Sequence, residues 1–243
     1  MNYQIPTDIS EIPAYATIAW GLKNTSKKPS SKGLSVDKIV TAAISLADAQ
    51  GLEGLSIRNL ATQLGFTTMA MYRHIANRDE LIILMLDQAL SVPAVSLKNA
   101  SSWQEALHIW GQSLLEKYQT HPWILDAPID IPTTPNNITW LESVLTGMRS
   151  MPLGIQQKLD CALLVDGHAR NFAHLSRQAT MYTTKPTSRS WLPALIDPSR
   201  FPFFTQVLSQ RVLEDEDESS DFVFGLERII SGIEVFASSH TTR

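Results

Sequence analysis

Twenty consecutive residues, Ser56 to Ile75, place the strongest constraint on what this 243-residue chain can fold into. Ile57, Leu60, Ala61 and Leu64 fall at i, i+3, i+4 and i+7, the spacing that lines one face of an α-helix. Gly65 ends that helix, because a turn there favours a residue without a β-carbon. After the Phe66-Thr67 step, the helical pattern resumes from Thr68 to His74 or Ile75. Two short helices around a glycine turn make a helix-turn-helix. Ala61 is small, so the second helix can cross close over the first. Phe66, Met71 and Ile75 are spaced to anchor the second helix to a core. Thr67, Thr68, Met69, Tyr72 and Arg73 are then left on the outer face. Hydroxyls, a phenol and a guanidinium on one exposed helix suit the groove edges and phosphates of double-stranded DNA. The same pattern also fits an ordinary helical hairpin with a solvated outer face.

The surrounding sequence is helical throughout, so the expected fold class is all-α. Ser35 is a good N-cap for a helix that Gly51 stops. Asn77 to Glu80 and Ser102 to Glu105 both have a capping-box arrangement. They open helices running to about Leu90 and about Thr120. Further helices are expected from Asn136 or Asn137 to Ser150, Gln156 to Met181, Phe203 to Val212 and Asp221 to Ala237, which makes nine or ten in all. Proline and glycine punctuate residues 1–34, and Pro186 to Pro202 reads as a loop. The expected organisation is therefore an irregular extension (1–34), a helix-turn-helix domain (35–80) and a larger helical domain (81–243).

Charge and composition narrow the function. The net charge is −4, which excludes a wholesale basic footprint. It is unevenly spread: residues 1–80 carry eight basic and seven acidic side chains, against twelve and seventeen in the remainder. That asymmetry favours a polyanion partner at the N-terminal end. The longest aliphatic run, Leu81 to Leu86, is far short of the roughly 20 residues that span a bilayer. Asp8 and Glu11 interrupt the N-terminus, against a secretory signal. The expectation is a cytoplasmic protein with no membrane partner. A single cysteine, Cys161, excludes an intramolecular disulfide and a cysteine-rich zinc site. No phosphate loop, nucleophile elbow or His-Glu-x-x-His string occurs, so neither enzyme activity nor a cofactor or metal is expected.

The run from Leu34 to Leu90, about one quarter of the chain, resembles the DNA-binding domain of the TetR family of bacterial regulators. The residues carrying the resemblance are Ala42-Ala43, Leu46-Ala47, Gly51 to Ser56, Leu60-Ala61, Leu64-Gly65, Tyr72 to Ile75 and Asn77 to Leu81. Beyond it, His121-Pro122-Trp123, Asp166-Gly167-His168, Asp197 to Pro202 and Phe224 to Arg228 are similar to segments of the tetracycline-repressor-type C-terminal domain. The resemblance implies that Thr68, Met69, Tyr72 and Arg73 read the groove or touch phosphates. It also implies that His74 and Arg78 clamp the backbone, and that Ser56, Ile57 and Arg58 sit at the DNA face. Arg73 stands where the tetracycline repressors have a tryptophan, so neither their operator nor tetracycline as inducer carries over. The implied function is ligand-responsive transcriptional regulation, most often repression. A helical small-molecule binder or enzyme that does not act on DNA is the alternative. Lys23, Lys27, Lys28 and Lys32 form either an arm over the DNA or a solvated linker.

In the larger domain, five of the six tryptophans lie beyond residue 100. Trp110, Trp123 and Trp140, with His168 and Phe172, either wall an apolar effector pocket or fill the core. Asp166, Arg170 and His174 share a helix face and are placed to satisfy one another. The apolar stripes of Gln156–Met181 and Asp221–Ala237 are expected to pair with their copies in a homodimer, with Ile230 and Ile233 in the interface.

Overall fold

The computed structural model describes residues 12–22, 33–91, 93, 97–128, 133–183, 192–210 and 218–241. Among these, eleven α-helices and two short 3-10 turns follow one another without a strand. The four-lysine segment, Trp191 and Glu214 to Asp217 lie outside the described residues.

The N-terminal helices are α2 (Val36–Gly54), α3 (Ile57–Leu64) and α4 (Thr68–Tyr72). Each starts on a hydroxyl N-cap: Ser35, Ser56 and Thr67 accept from the amides of Lys38, Asn59 and Ala70. Such a cap satisfies one of the amides that the first helical turn leaves free. Helix α3 ends at Gly65, which is left-handed at φ 74°. Leu60, Ala61, Met71 and Ile75 are buried, and the two short helices cross there.

Helix α5 (Arg78–Leu90) leads out of this module. It is capped by Asn77, which accepts from the Glu80 amide, while the Glu80 carboxylate accepts from the Ala76 amide. The reciprocal bond of the box is thus made one residue earlier than the sequence suggested. Ser101, Ser102 and Glu105 repeat this arrangement at the start of α6 (Trp103–Thr120). Then come a 3-10 turn over Pro122–Asp126, α7 (Pro135–Gly147) and α8 (Ile155–Thr183). Two short helices, α9 (Leu192–Leu195) and α10 (Pro202–Ser209), precede α11 (Glu218–Thr241).

Helices α6, α8 and α11 form the centre of the larger domain. Gly111 makes their close approach possible: a β-carbon there would lie 2.9 Å from Val165 and 3.2 Å from Leu226. Val165, Leu226, Leu107 and Val144 are fully buried around it.

The extension was expected to be irregular, but α1 (Ala14–Ala19) forms within it. Ala16 and Thr17 are buried as α1 packs against α5, and Trp20 donates to the Thr133 carbonyl at 3.0 Å. Pro13 and Gly21, which read as punctuation, bracket a helix too short to show a period. The loop from Pro186 to Pro202 likewise contains α9.

Candidate nucleic-acid interface and effector site

Burial of Met71 and Ile75 turns the opposite face of α4 outward. Thr67, Thr68, Met69, Tyr72 and Arg73 are exposed together on α4 and its ends, and Met69 and Tyr72 are more than half exposed. Arg58 is exposed on α3, beside the half-buried N-cap Ser56. Two methionines separated by one residue have opposite fates here: Met71 is fully buried, whereas Met69 is 67% exposed. An apolar side chain in that position suits a thymine methyl.

Phe66 departs from the anchoring role expected of it, and Ile57, His74 and Arg78 each have a definite place. Phe66 is 37% exposed and does not anchor α4, because the Gly65 turn directs it outward while Met71 and Ile75 fill the core. Ile57 is buried, so its side chain faces the core while its backbone opens α3. His74 is half-buried. Arg78 spends its guanidinium within the module. Its Nη2 donates to the Leu52 carbonyl at 2.7 Å and its Nε to the Leu55 carbonyl at 3.1 Å. Helix α2 is kinked at Gly51 and has its C-cap at Leu55, so both carbonyls lie in its last turn, where a cation can meet them. Arg78→Ala is therefore expected to lower stability by about 1–3 kcal/mol, since charged hydrogen bonds to buried carbonyls are lost. A thermal melt several degrees below wild type checks this.

In the larger domain the indoles have separate roles. Trp140 Nε1 donates to the Ser91 carbonyl at 2.8 Å, at the end of α5. Trp123 is 1% exposed and donates to Asp48 Oδ1 of α2 at 2.8 Å. Trp110 is buried on α6, and its Nε1 has no hydrogen-bond partner among the described residues. A buried donor left unpaired carries a desolvation cost that an incoming acceptor would remove.

His168 lies in the seam between α8 and α11. Its ring stacks on Phe222 at 4.9 Å and 7°, against the bare Cα of Gly225, and Nε2 is 2.9 Å from the Phe222 carbonyl. Phe172 meets the same Phe222 edge-on.

The acidic and basic groups on α8 divide. Asp166 pairs with Arg170 at 3.0 Å and accepts from the Tyr118 hydroxyl. Burial, reinforced by the Asp166 charge, pushes the Tyr118 phenol well above its ordinary value. His174 turns instead to Arg177 and Gln178. Among the described residues there is no cluster of His, Cys, Asp and Glu able to hold a metal ion, and no helix is long and apolar enough to cross a membrane.

An all-α chain with a helix-turn-helix joined by one helix to a helical domain is the architecture of a ligand-controlled transcription regulator. Residues 96–237 match the family model of the tetracyclin repressor-like C-terminal domain. The HTH-type transcriptional repressor DrrR1 of Streptomyces coeruleorubidus is 32% identical over 89% of this chain and 84% of its own length. The class D tetracycline repressor protein of Escherichia coli is 27% identical over 83% and 90%. Among solved structures, apo ActR from Streptomyces coelicolor superposes with a TM-score of 0.72 at 26% identity, covering 85% of this chain and 97% of ActR. ActR has also been solved in complex with actinorhodin, with a TM-score of 0.67 at 26% identity, over 82% and 94%. The chain belongs to the TetR family of transcriptional regulators.

Proposed function

We propose that this protein is a homodimeric repressor that reads a pseudo-palindromic operator with α3 and α4 and is released by an apolar, planar effector. The outward set Thr68, Met69, Tyr72 and Arg73 carries the DNA part of this reading. Arg58 and Ser56 at the start of α3 extend the contact. By contrast, the intramodular bonds of Arg78 argue that it shapes the interface rather than touching phosphate.

Dimerisation is supported by exposed apolar side chains on α8 and α11: Leu163, Leu164, Phe224, Val235 and Phe236. A groove of about 390 Å³ runs between the two helices, lined by Cys161, Leu164, Ile229 and Phe236. Large contiguous apolar surface of this kind marks an association site. The pairing of α8 and α11 with their copies would set two reading heads in adjacent major grooves.

Effector chemistry follows from Trp110 and from the relatives. An unpaired indole N–H in an apolar interior asks for a ligand with a carbonyl or phenolic oxygen on a flat hydrophobic frame. ActR, whose fold this chain shares, has been solved in complex with actinorhodin. Titrating polycyclic quinones should quench the intrinsic tryptophan fluorescence of the wild type and weaken operator binding in parallel. Trp110→Phe, which keeps the ring packing and removes the donor, is expected to raise the quinone Kd about fivefold to tenfold, in line with one lost hydrogen bond. Unchanged affinity in that variant would remove Trp110 from the site. Anisotropy of a labelled duplex, with and without the compound, tests the switch itself.

A further inference from the structure

Helix α5 is the covalent bridge between the helix-turn-helix and the larger domain, and its far end is well held. Lys117 of α6 donates to the Ala89 carbonyl and the Ser91 hydroxyl, both at 3.1 Å. A single helix nevertheless fixes a reading head poorly, because bending or rotation at either end moves it. A second tether crosses the same boundary. Asp48, near the end of α2, turns one carboxylate oxygen toward the segment that follows α6. That Oδ1 accepts from Trp123 Nε1 at 2.8 Å and faces His121 Nδ1 at 2.8 Å.

The far side of this segment is equally fixed. Arg177 of α8 donates to the Pro122 carbonyl at 3.1 Å and grips both oxygens of Asp126, at 2.7 and 2.9 Å. That bond from Arg177 holds the Asp126 carboxyl below its ordinary range. Asp48, Trp123, the 3-10 turn and Arg177 thus form one continuous line of hydrogen bonds from α2 to α8.

The chemistry makes this contact two-state. Trp123 is 1% exposed, so its N–H depends for a protein acceptor on Asp48, whose side chain is 32% exposed. A hydrogen bond of this kind is either made or lost within about 1 Å of movement. Packed interfaces of this sort switch rather than stretch.

We propose that Asp48 is a positioning residue for operator binding: it latches the helix-turn-helix to the end of α6, and the latched form is the one that binds operator. This rests on the DNA-binding reading above. A dimer must hold its two reading heads about one helical turn of DNA apart, near 34 Å, and a latch at each α2 fixes that separation. An effector that shifts Trp123 breaks the latch and releases the heads.

The test uses the full-length protein and the duplex it selects from a random-sequence library, with a scrambled duplex of equal length as the non-specific probe. Asp48→Ala is expected to lose about tenfold in affinity for the selected duplex, an ordinary size for coupling between sites. Affinity for the scrambled duplex should stay level or rise, because a negative charge has left the DNA-binding end. Asp48→Asn, which retains the acceptor oxygen, should recover most of the loss. Trp123→Phe should reproduce the loss, and the double variant Asp48→Ala/Trp123→Phe should lose no more than either single change. Should Asp48→Ala melt below the assay temperature, Trp123→Phe reads the same latch from the other side. Wild-type affinity in the folded single variants, or losses that add in the double variant, would overturn the latch. A wild type that selects no duplex would instead overturn the DNA-binding reading on which it rests.

Discussion

Arg73→Ala is expected to cost about 1–3 kcal/mol of operator affinity and to relax base preference at one position of each half-site. Arg73 caps the C-terminal end of α4, is exposed, and follows Tyr72 on the outward face. A guanidinium there can meet the O6 and N7 edge of a guanine with two donors in a fixed fork, which a hydroxyl cannot do. Because the exposed side chain makes no hydrogen bond or ion pair among the described residues, the variant should fold and melt like wild type. The loss should therefore appear in DNA affinity alone. Tyr72→Phe supplies the contrast: removing one hydroxyl should weaken binding evenly across sequences, as a phosphate contact does. Anisotropy titrations on selected and scrambled duplexes separate the two behaviours. Unaltered affinity in a folded Arg73→Ala protein would contradict the assignment of α4 as the reading helix.

The double substitution Leu164→Glu/Phe236→Glu is expected to convert the dimer to a folded monomer and to reduce operator affinity by about a hundredfold or more. Leu164 is 58% exposed and Phe236 43% exposed within a single chain, and both line the groove between α8 and α11. Charges there cost the isolated chain little but would be buried unpaired in a dimer. The loss of DNA affinity follows because a second half-site no longer binds at high effective concentration. Light scattering should report the mass of one chain, about 27.0 kDa, with an unchanged helical circular dichroism spectrum. A dimer that survives both substitutions would place the interface elsewhere. Ile230 and Ile233, which the apolar stripe suggested for this purpose, are buried at 8% and 4% inside the single chain. An aspartate at either position would unfold the domain before it tested association.

That contrast shows what the sequence could and could not disclose. Period and capping are local, so the helices were legible. Ser35, Asn77 and Ser102 cap where their side chains suggested, and Ser56 and Thr67 cap α3 and α4 in the same way. Outward placement of Thr68, Met69, Tyr72 and Arg73 was also legible, because Met71 and Ile75 fix the phase of α4. What a single period cannot give is which of two partners covers an apolar stripe. Helix α11 is apolar on more than one side: Ile230, Ile233 and Leu226 face its own chain, and Phe224, Val235 and Phe236 face away.

Long-range polar pairing was invisible for another reason. Asp48 and Trp123 are 75 residues apart, and nothing local to either marks the other. Arg78 was given to the DNA backbone by resemblance, because its acceptors, the Leu52 and Leu55 carbonyls, are backbone groups that no side chain announces. The single clue was stoichiometric: an indole that must be buried needs an acceptor, and each of the buried tryptophans therefore asked for a partner. Trp123 and Trp140 find theirs at the joint with α2 and α5, and Trp110 keeps its donor unpaired.

The most direct measurement of the central claim is a titration of labelled duplex, selected by the wild-type protein, followed by anisotropy at several salt concentrations and then by addition of a polycyclic quinone. The account predicts two chains per duplex, a pseudo-palindromic sequence, and a selected duplex bound at least about a thousandfold more tightly than a scrambled one. It also predicts affinity that falls steeply with salt and is lost when the quinone binds. Equal affinity for selected and scrambled duplexes, or tight operator binding that persists with the effector site saturated, would contradict it.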